Sequence, residues 1–130
     1  DVAQQVAARQ PVDVTTGWVN VIWQGDANAR AIKSLGLASS PATPLNVTGL
    51  ETISVRELAE RFAERFGCRA TIVGEAAPTA WLSNAARSFE QFGEVDVTLD
   101  EMIDATADWV QRGGRTWNKP THFGSRDGRF

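Results

Sequence analysis

Leu45-Asn46-Val47-Thr48-Gly49-Leu50-Glu51-Thr52-Ile53-Ser54-Val55-Arg56-Glu57-Leu58, with its continuation to Val73, decides how this chain folds. It reads as a short strand over Leu45 to Thr48, a glycine turn, a capped helix and a second strand. Ser54-Val55-Arg56-Glu57 is a capping box, in which the Ser54 hydroxyl accepts from the Glu57 N–H and the Glu57 carboxylate accepts from the Ser54 N–H. Ile53 and Leu58 stand where a hydrophobic staple closes over that first turn. Leu58, Phe62 and Phe66 recur every four residues with Val55, Ala59 and Ala63 beside them, so one helix face is apolar. Arg56, Glu60, Arg61, Glu64 and Arg65 fall mostly on the other face. Gly67 supplies the left-handed residue that ends a helix. From Cys68 to Val73, Ala70 and Ile72 alternate with Arg69 and Thr71, the period of a strand.

Before this unit, Asp1 to Arg9 has helical spacing through Val2 and Val6, and Pro11 is expected to stop it. Val12 to Thr15 alternates, and Gly17 marks a turn. Trp18-Val19-Asn20-Val21-Ile22-Trp23 is aromatic and β-branched, which favours a strand. Asp26 has the chemistry of an N-cap for a helix over Ala27 to Leu35, with Ala31, Ile32 and Leu35 expected inward and Gly36 as its stop. Leu37 to Pro44 is a Ser/Ala/Thr/Pro loop. After the unit, Gly74 to Trp81 reads as a loop, and Ser83 is the expected cap of a short helix that Gly93 ends. Thr98-Leu99-Asp100-Glu101 is a second capping box, with Val97 and Met102 as its staple. Leu99, Met102, Ile103, Thr106, Trp109 and Val110 then form a helical stripe that Gly113-Gly114 terminates.

The chain has 130 residues, room for one packed core but not for two domains of ordinary size. Its formal net charge of -3 disfavours a nucleic-acid surface, which needs a basic excess. Cys68 is the only cysteine, so there is no internal disulfide and no zinc-ligand spacing, which fits a reducing, cytoplasmic setting. No apolar run is long enough to cross a membrane as a helix. Asp1 stands where a start methionine would, inside a helical pattern, so a longer parent chain is expected.

The ordered set of motifs resembles the C-terminal portion of the NAD-dependent epimerase/dehydratase family, the extended short-chain dehydrogenases. The resemblance is carried by Trp18 to Trp23 followed by Asp26 and its helix. It continues through Asn46-Val47, Gly49, Glu51 and Ser54-Val55-Arg56-Glu57-Leu58-Ala59, then Phe66-Gly67 with Arg69 to Val73. Leu82 to Arg87 with Phe92-Gly93, and Thr98 to Trp109, complete it. It implies a small mixed α/β lobe, short strands covered by four or five helices, over residues 1–112, with 113–130 as a tail. It also implies the substrate-binding part of an NAD(P)-dependent oxidoreductase acting on a hydroxyl-bearing, sugar-like small molecule. The family's glycine-rich pyrophosphate turn is absent, and with no tyrosine in the chain its Tyr-x-x-x-Lys pair is absent too. NAD or NADP is therefore implied for an N-terminal cofactor domain of the parent, not for this chain, which carries no expected catalytic, cofactor-binding or metal residue. The alternative is a stand-alone, non-enzymatic binding or interaction module.

Trp18 and Asn20 would share one strand face, and an aromatic ring beside an amide is a usual way to hold a sugar or small polar ligand. These two, with Arg87, are the expected substrate-side residues. Trp23 stands beside them, with a partly buried core role as the competing reading. Asn46 is expected to satisfy a nearby backbone group. Members that bind nucleotide sugars often carry arginines where this chain has Glu75 and the Trp18 to Gln24 segment, so the resemblance implies a smaller or less anionic substrate. The tail from Lys119 to Phe130 holds the only histidine, His122, together with Arg126, Asp127 and Arg129, and is expected to dock or pack through its phenylalanines rather than catalyse.

Overall fold

The computed structural model describes residues 1–117, 119, 121 and 125. The expectations for His122, Arg126, Asp127, Arg129 and Phe130 lie outside the described residues. Within them the chain forms α1 (Val2–Ala7), β1 (Val12–Asp13), β2 (Trp18–Val19), α2 (Gln24–Ser34), β3 (Ile53–Ser54), α3 (Val55–Arg65), β4 (Ile72–Val73), α4 (Ala86–Phe92) and α5 (Leu99–Gln111). These elements gather into two compact units. The first takes Asp1–Val19, Ile53–Trp81 and Ile103–Phe130, and the second takes Asn20–Thr52 and Leu82–Met102.

The first unit has an apolar core. β1 pairs in parallel with β4, Val12 opposite Ile72, and β2 pairs antiparallel with β3, Trp18 opposite Ser54. Against them pack Val2, Ala3 and Val6 of α1, Val55, Ala59, Phe62 and Ala63 of α3, and Ile103 and Ala107 of α5, all buried. The expected stripe of α3 is present, and Phe62 and Phe66 stack with centroids 6.2 Å apart. Ser54 caps α3 as expected, its hydroxyl accepting from the Glu57 N–H at 3.0 Å. Both halves of the second box form: Glu101 N–H donates to the Thr98 hydroxyl at 3.3 Å, and Thr98 N–H donates to the Glu101 carboxylate at 2.8 Å.

Helices α1, α3 and α5 end in the same way. Gly67 N–H reaches the Glu64 carbonyl and Cys68 N–H that of Ala63. Gly113 and Gly114 repeat this on Val110 and Trp109. This is the Schellman pair of bonds, which needs a left-handed residue at its hinge. Gly67 and Gly113 provide it with φ of 60° and 66°. At α1 the hinge is Arg9, with φ 56°, and its N–H and that of Gln10 bond to Val6 and Gln5. The helix therefore stops before Pro11, by a local hydrogen-bond motif rather than by the proline.

The second unit is built differently, and several expectations are corrected there. The segment from Leu45 to Thr48 is not a strand, and the strand over Trp18 to Trp23 ends at Val19. Side chains take over the cross-links from the backbone: Thr48 Oγ1 donates to the Asn20 carbonyl at 2.8 Å, and Asn20 Nδ2 donates to the Gly49 carbonyl at 3.2 Å. Gly49 lies so close to Val21 that a Cβ there would meet its carbonyl oxygen at 2.2 Å, which excludes any larger residue. In the first unit the strand expected from Cys68 is likewise confined to Ile72–Val73, the stretch that has β1 to pair with.

Asp26 is not the N-cap of α2. The helix starts one turn earlier, with Trp23 as the extended residue before it. The Asp26 carboxylate instead accepts from the N–H groups of Asp96 and Val97, both at 3.2 Å. The face of α2 is also inverted. Ile32 and Leu35 are 70% and 75% exposed, while Asp26 and Arg30 are the buried residues of the helix. Gly36 does not stop it, because the chain continues into a 3-10 turn over Leu35–Leu37. Ser83 does not cap α4. The Asn84 side chain accepts from the Ala86 N–H at 3.0 Å, an Asx turn into the helix.

Candidate functional site

The three expected substrate-side residues divide between the units. Trp18 belongs to the first, where its backbone pairs with Ser54 and its indole is 45% exposed. Because β2 ends at Val19, the strand alternation that would put Trp18 and Asn20 on one face does not extend to Asn20. Trp23 is half-exposed, and its indole lies against Gly25, where a Cβ would stand 3.1 Å from the ring.

Asn20, in the second unit, spends its amide on the backbone. Nδ2 donates to the carbonyls of Gly49 and Ser83, at 3.2 and 2.7 Å, and Oδ1 accepts from the Ser83 N–H at 3.3 Å. An amide has two donors and two acceptor positions, so one lone pair on Oδ1 is left for a ligand. Asn20 is thereby a clamp that fixes Ser83 against the Gly49 turn. Asn46 does the same for Asn84, donating to its carbonyl at 3.2 Å, which is the backbone role expected of it.

The second unit also holds a polar network for which the sequence carries no signal. Arg30, 3% exposed, donates to the Ser88 hydroxyl at 2.8 Å and to the Gly93 carbonyl at 2.7 Å, and its guanidinium stacks over Phe89 at 4.1 Å. Ser88 is fully buried. Burial of a guanidinium is costly unless its donors are satisfied, and here a hydroxyl, a carbonyl and an aromatic face do so. A serine in mid-helix gives no sequence signal of such a role, since serine on α4 is as readily solvated.

Two cavities open within the second unit. One, of about 190 Å³, is walled by Val21, Ile22, Leu50, Phe89, Val97 and Met102, with Glu51 and Glu94 also lining it. The other, of about 370 Å³, lies between the loop from Ser34 to Leu45 and Arg87 of α4. Arg87 is thus at a cavity, on an exposed side chain. In the first unit, Asp13 accepts from the Thr15 hydroxyl at 2.5 Å and from its N–H at 2.8 Å. The hydroxyl chiefly, then the N–H, holds the Asp13 carboxyl below the usual carboxylate range. Among the described residues no three His, Cys, Asp or Glu side chains converge as metal ligands, and no helix is long and apolar enough to cross a membrane.

The chain matches no family model and no curated protein. Its fold is similar to that of a solved structure, UDP-glucuronic acid 4-epimerase from Bacillus cereus in complex with NAD, with a TM-score of 0.65 and 15% sequence identity. The match covers 88% of this chain and 39% of the epimerase chain. At that identity the likeness is one of fold: a small mixed α/β arrangement distantly similar to a member of the NAD-dependent epimerase/dehydratase family. The epimerase structure holds NAD, and the glycine-rich pyrophosphate turn of dinucleotide-binding folds has no counterpart in this sequence. A pyrophosphate turn needs glycines two apart at the entrance to a helix, and no two glycines here have that spacing.

Proposed function

We propose that this chain is the substrate-binding portion of an NAD(P)-dependent epimerase/dehydratase-like oxidoreductase acting on a hydroxyl-bearing, sugar-like small molecule. The dinucleotide belongs to an N-terminal cofactor domain of the parent protein. The observation that carries this reading is the fold likeness itself, which covers most of this chain but 39% of an NAD-bound epimerase. The surface supports it independently. Val21, Trp23, Ile32, Leu35, Leu37, Leu50 and Leu82, all in the second unit, are large apolar side chains left substantially exposed. Ile32 and Leu35, three residues apart along α2, share one helix side and are exposed, which suits an interaction face. The partner that such a lobe needs is its cofactor domain.

In this reading Trp18 is the first unit's own candidate for an aromatic contact with a ligand. Asn20 positions the Ser83 turn and keeps one acceptor for a hydroxyl, and Arg87 offers a cation. With no tyrosine here, a Tyr-x-x-x-Lys pair would have to be supplied by the proposed cofactor domain, whose nicotinamide would exchange the hydride with the substrate. The test is steady-state kinetics of the full-length enzyme. Trp18→Ala raises KM by about tenfold with kcat little changed, the loss of a ground-state contact of roughly 1.4 kcal/mol. An unchanged KM removes Trp18 from the site. A soluble, monodisperse chain that works without any cofactor domain is the outcome that favours a stand-alone binding module.

A further inference from the structure

The 370 Å³ cavity of the second unit is lined by Ser34, Leu37, Ser39, Thr43, Leu45 and Arg87, with alanines and Pro44 between them. The loop on its far wall, from Ser34 to Leu45, contains no charged residue. Arg87 is therefore the single charge on the cavity, in a chain whose net charge is -3. It makes no hydrogen bond or ion pair among the described residues. Other arginines here are engaged: Arg30 with Ser88 and Gly93, Arg65 with Asp104, and Arg112 with Asp108. A guanidinium with all five donors unspent, facing a neutral and partly apolar space, is a ready partner for an oxyanion.

We propose that this cavity binds a small organic carboxylate, held by Arg87. The charge count selects a monoanion, since one guanidinium neutralises one negative charge and leaves a phosphate dianion half compensated. The planar fork of arginine matches a carboxylate with two parallel hydrogen bonds. The carbon body of the ligand lies against Leu37, Pro44 and Leu45. Ser39 donates its proton to the Pro41 carbonyl at 2.9 Å and stands 3.0 Å from the Thr43 hydroxyl. The Thr43 proton is thus the one that can turn from Ser39 to a ligand. This inference shares with the proposed function only the view that Arg87 faces a ligand. It needs neither a dinucleotide nor a cofactor domain, so the two fail separately.

The test is a titration of the ¹⁵N-labelled 130-residue chain with sodium butyrate, with neutral butyramide, and with inorganic phosphate, followed by NMR. Butyrate is expected to shift the Arg87 Nε–H and the amides around Ser39 and Thr43 saturably, while butyramide at equal concentration does not. Arg87→Gln, a change on an exposed side chain, weakens butyrate by roughly tenfold or more, and Arg87→Lys, which keeps the charge but loses the fork, weakens it less. Four results overturn the proposal: no shift with butyrate, equal shifts with butyramide, an unaltered affinity in Arg87→Gln, or tighter binding of phosphate than of butyrate. The last reassigns the cavity to phosphate esters.

Discussion

At the scale of single residues, Arg9 and Asp26 carry structural loads that their types do not advertise. Arg9 sits at φ 56° in a motif where α3 and α5 use glycine. A side chain in the left-handed region costs about 1 kcal/mol, and glycine relieves it. Arg9→Gly is accordingly expected to stabilise the chain by about 0.5–1 kcal/mol, raising the thermal midpoint by roughly 2–4 °C in a calorimetric scan. A lower midpoint contradicts this account of the α1 terminus. Asp26 holds two backbone N–H groups from a loop some seventy residues away in sequence. Asp26→Ala should cost about 2 kcal/mol in urea unfolding, because those donors lose a charged acceptor. Asp26→Ser, a good N-cap residue, should recover almost none of it; full recovery by serine returns Asp26 to a capping role. The Ser54 cap and the full Thr98–Glu101 box were legible in the sequence because each pair is three residues apart, although the expected return bond from the Ser54 N–H to the Glu57 carboxylate does not form. Asp26 was misread because its partners are remote, and Arg9 because nothing in an arginine signals a positive φ.

Among the elements, α3 and α2 teach opposite lessons. The period of Leu58, Phe62 and Phe66 gave α3 its orientation, since a packed apolar core covers that face and propensity and packing agree. In α2 the same rule put Ile32 and Leu35 inward, and they are outside. The inner face is set by Asp26 and Arg30, whose partners Asp96, Val97, Ser88 and Gly93 lie beyond the window in which periodicity is read. Among the described residues nothing covers the Ile32 and Leu35 side of α2. In this chain alone, Ile32→Ser and Leu35→Ser should each change stability by less than about 0.5 kcal/mol, as exposed sites do. Arg30→Ala, which strands the buried Ser88 hydroxyl, should cost roughly 2 kcal/mol or more. Chemical unfolding of the three variants checks both halves, and a large penalty at Ile32 or Leu35 would mean that α2 is covered within the chain. The strands were over-read in length for a related reason: β-branched runs identify where a strand is favoured, but only residues with a ladder partner become one.

Across the whole molecule the contrast is between a first unit closed around valines, isoleucines, alanines and Phe62, and a second unit whose buried residues are Asp26, Arg30, Thr48, Ala85 and Ser88. Hydrophobic burial is the main favourable term in folding, so a unit that buries hydrogen-bonded polar groups and exposes leucines keeps apolar surface that a partner could cover. That asymmetry is compatible with the proposed substrate-binding portion of a longer protein, and the fold likeness spans 39% of the NAD-bound epimerase chain. The fold likeness to an epimerase was legible in ordered short motifs. The division of labour between the two units was not, because it depends on which apolar residues find cover. The measurement that bears most directly on the central claim is a titration with NAD and NADP, comparing this chain with the full natural gene product that contains it. The account predicts a longer product that binds dinucleotide while the 130-residue chain binds none. Equal binding by both, no binding by the full product, or a product no longer than this chain would contradict it.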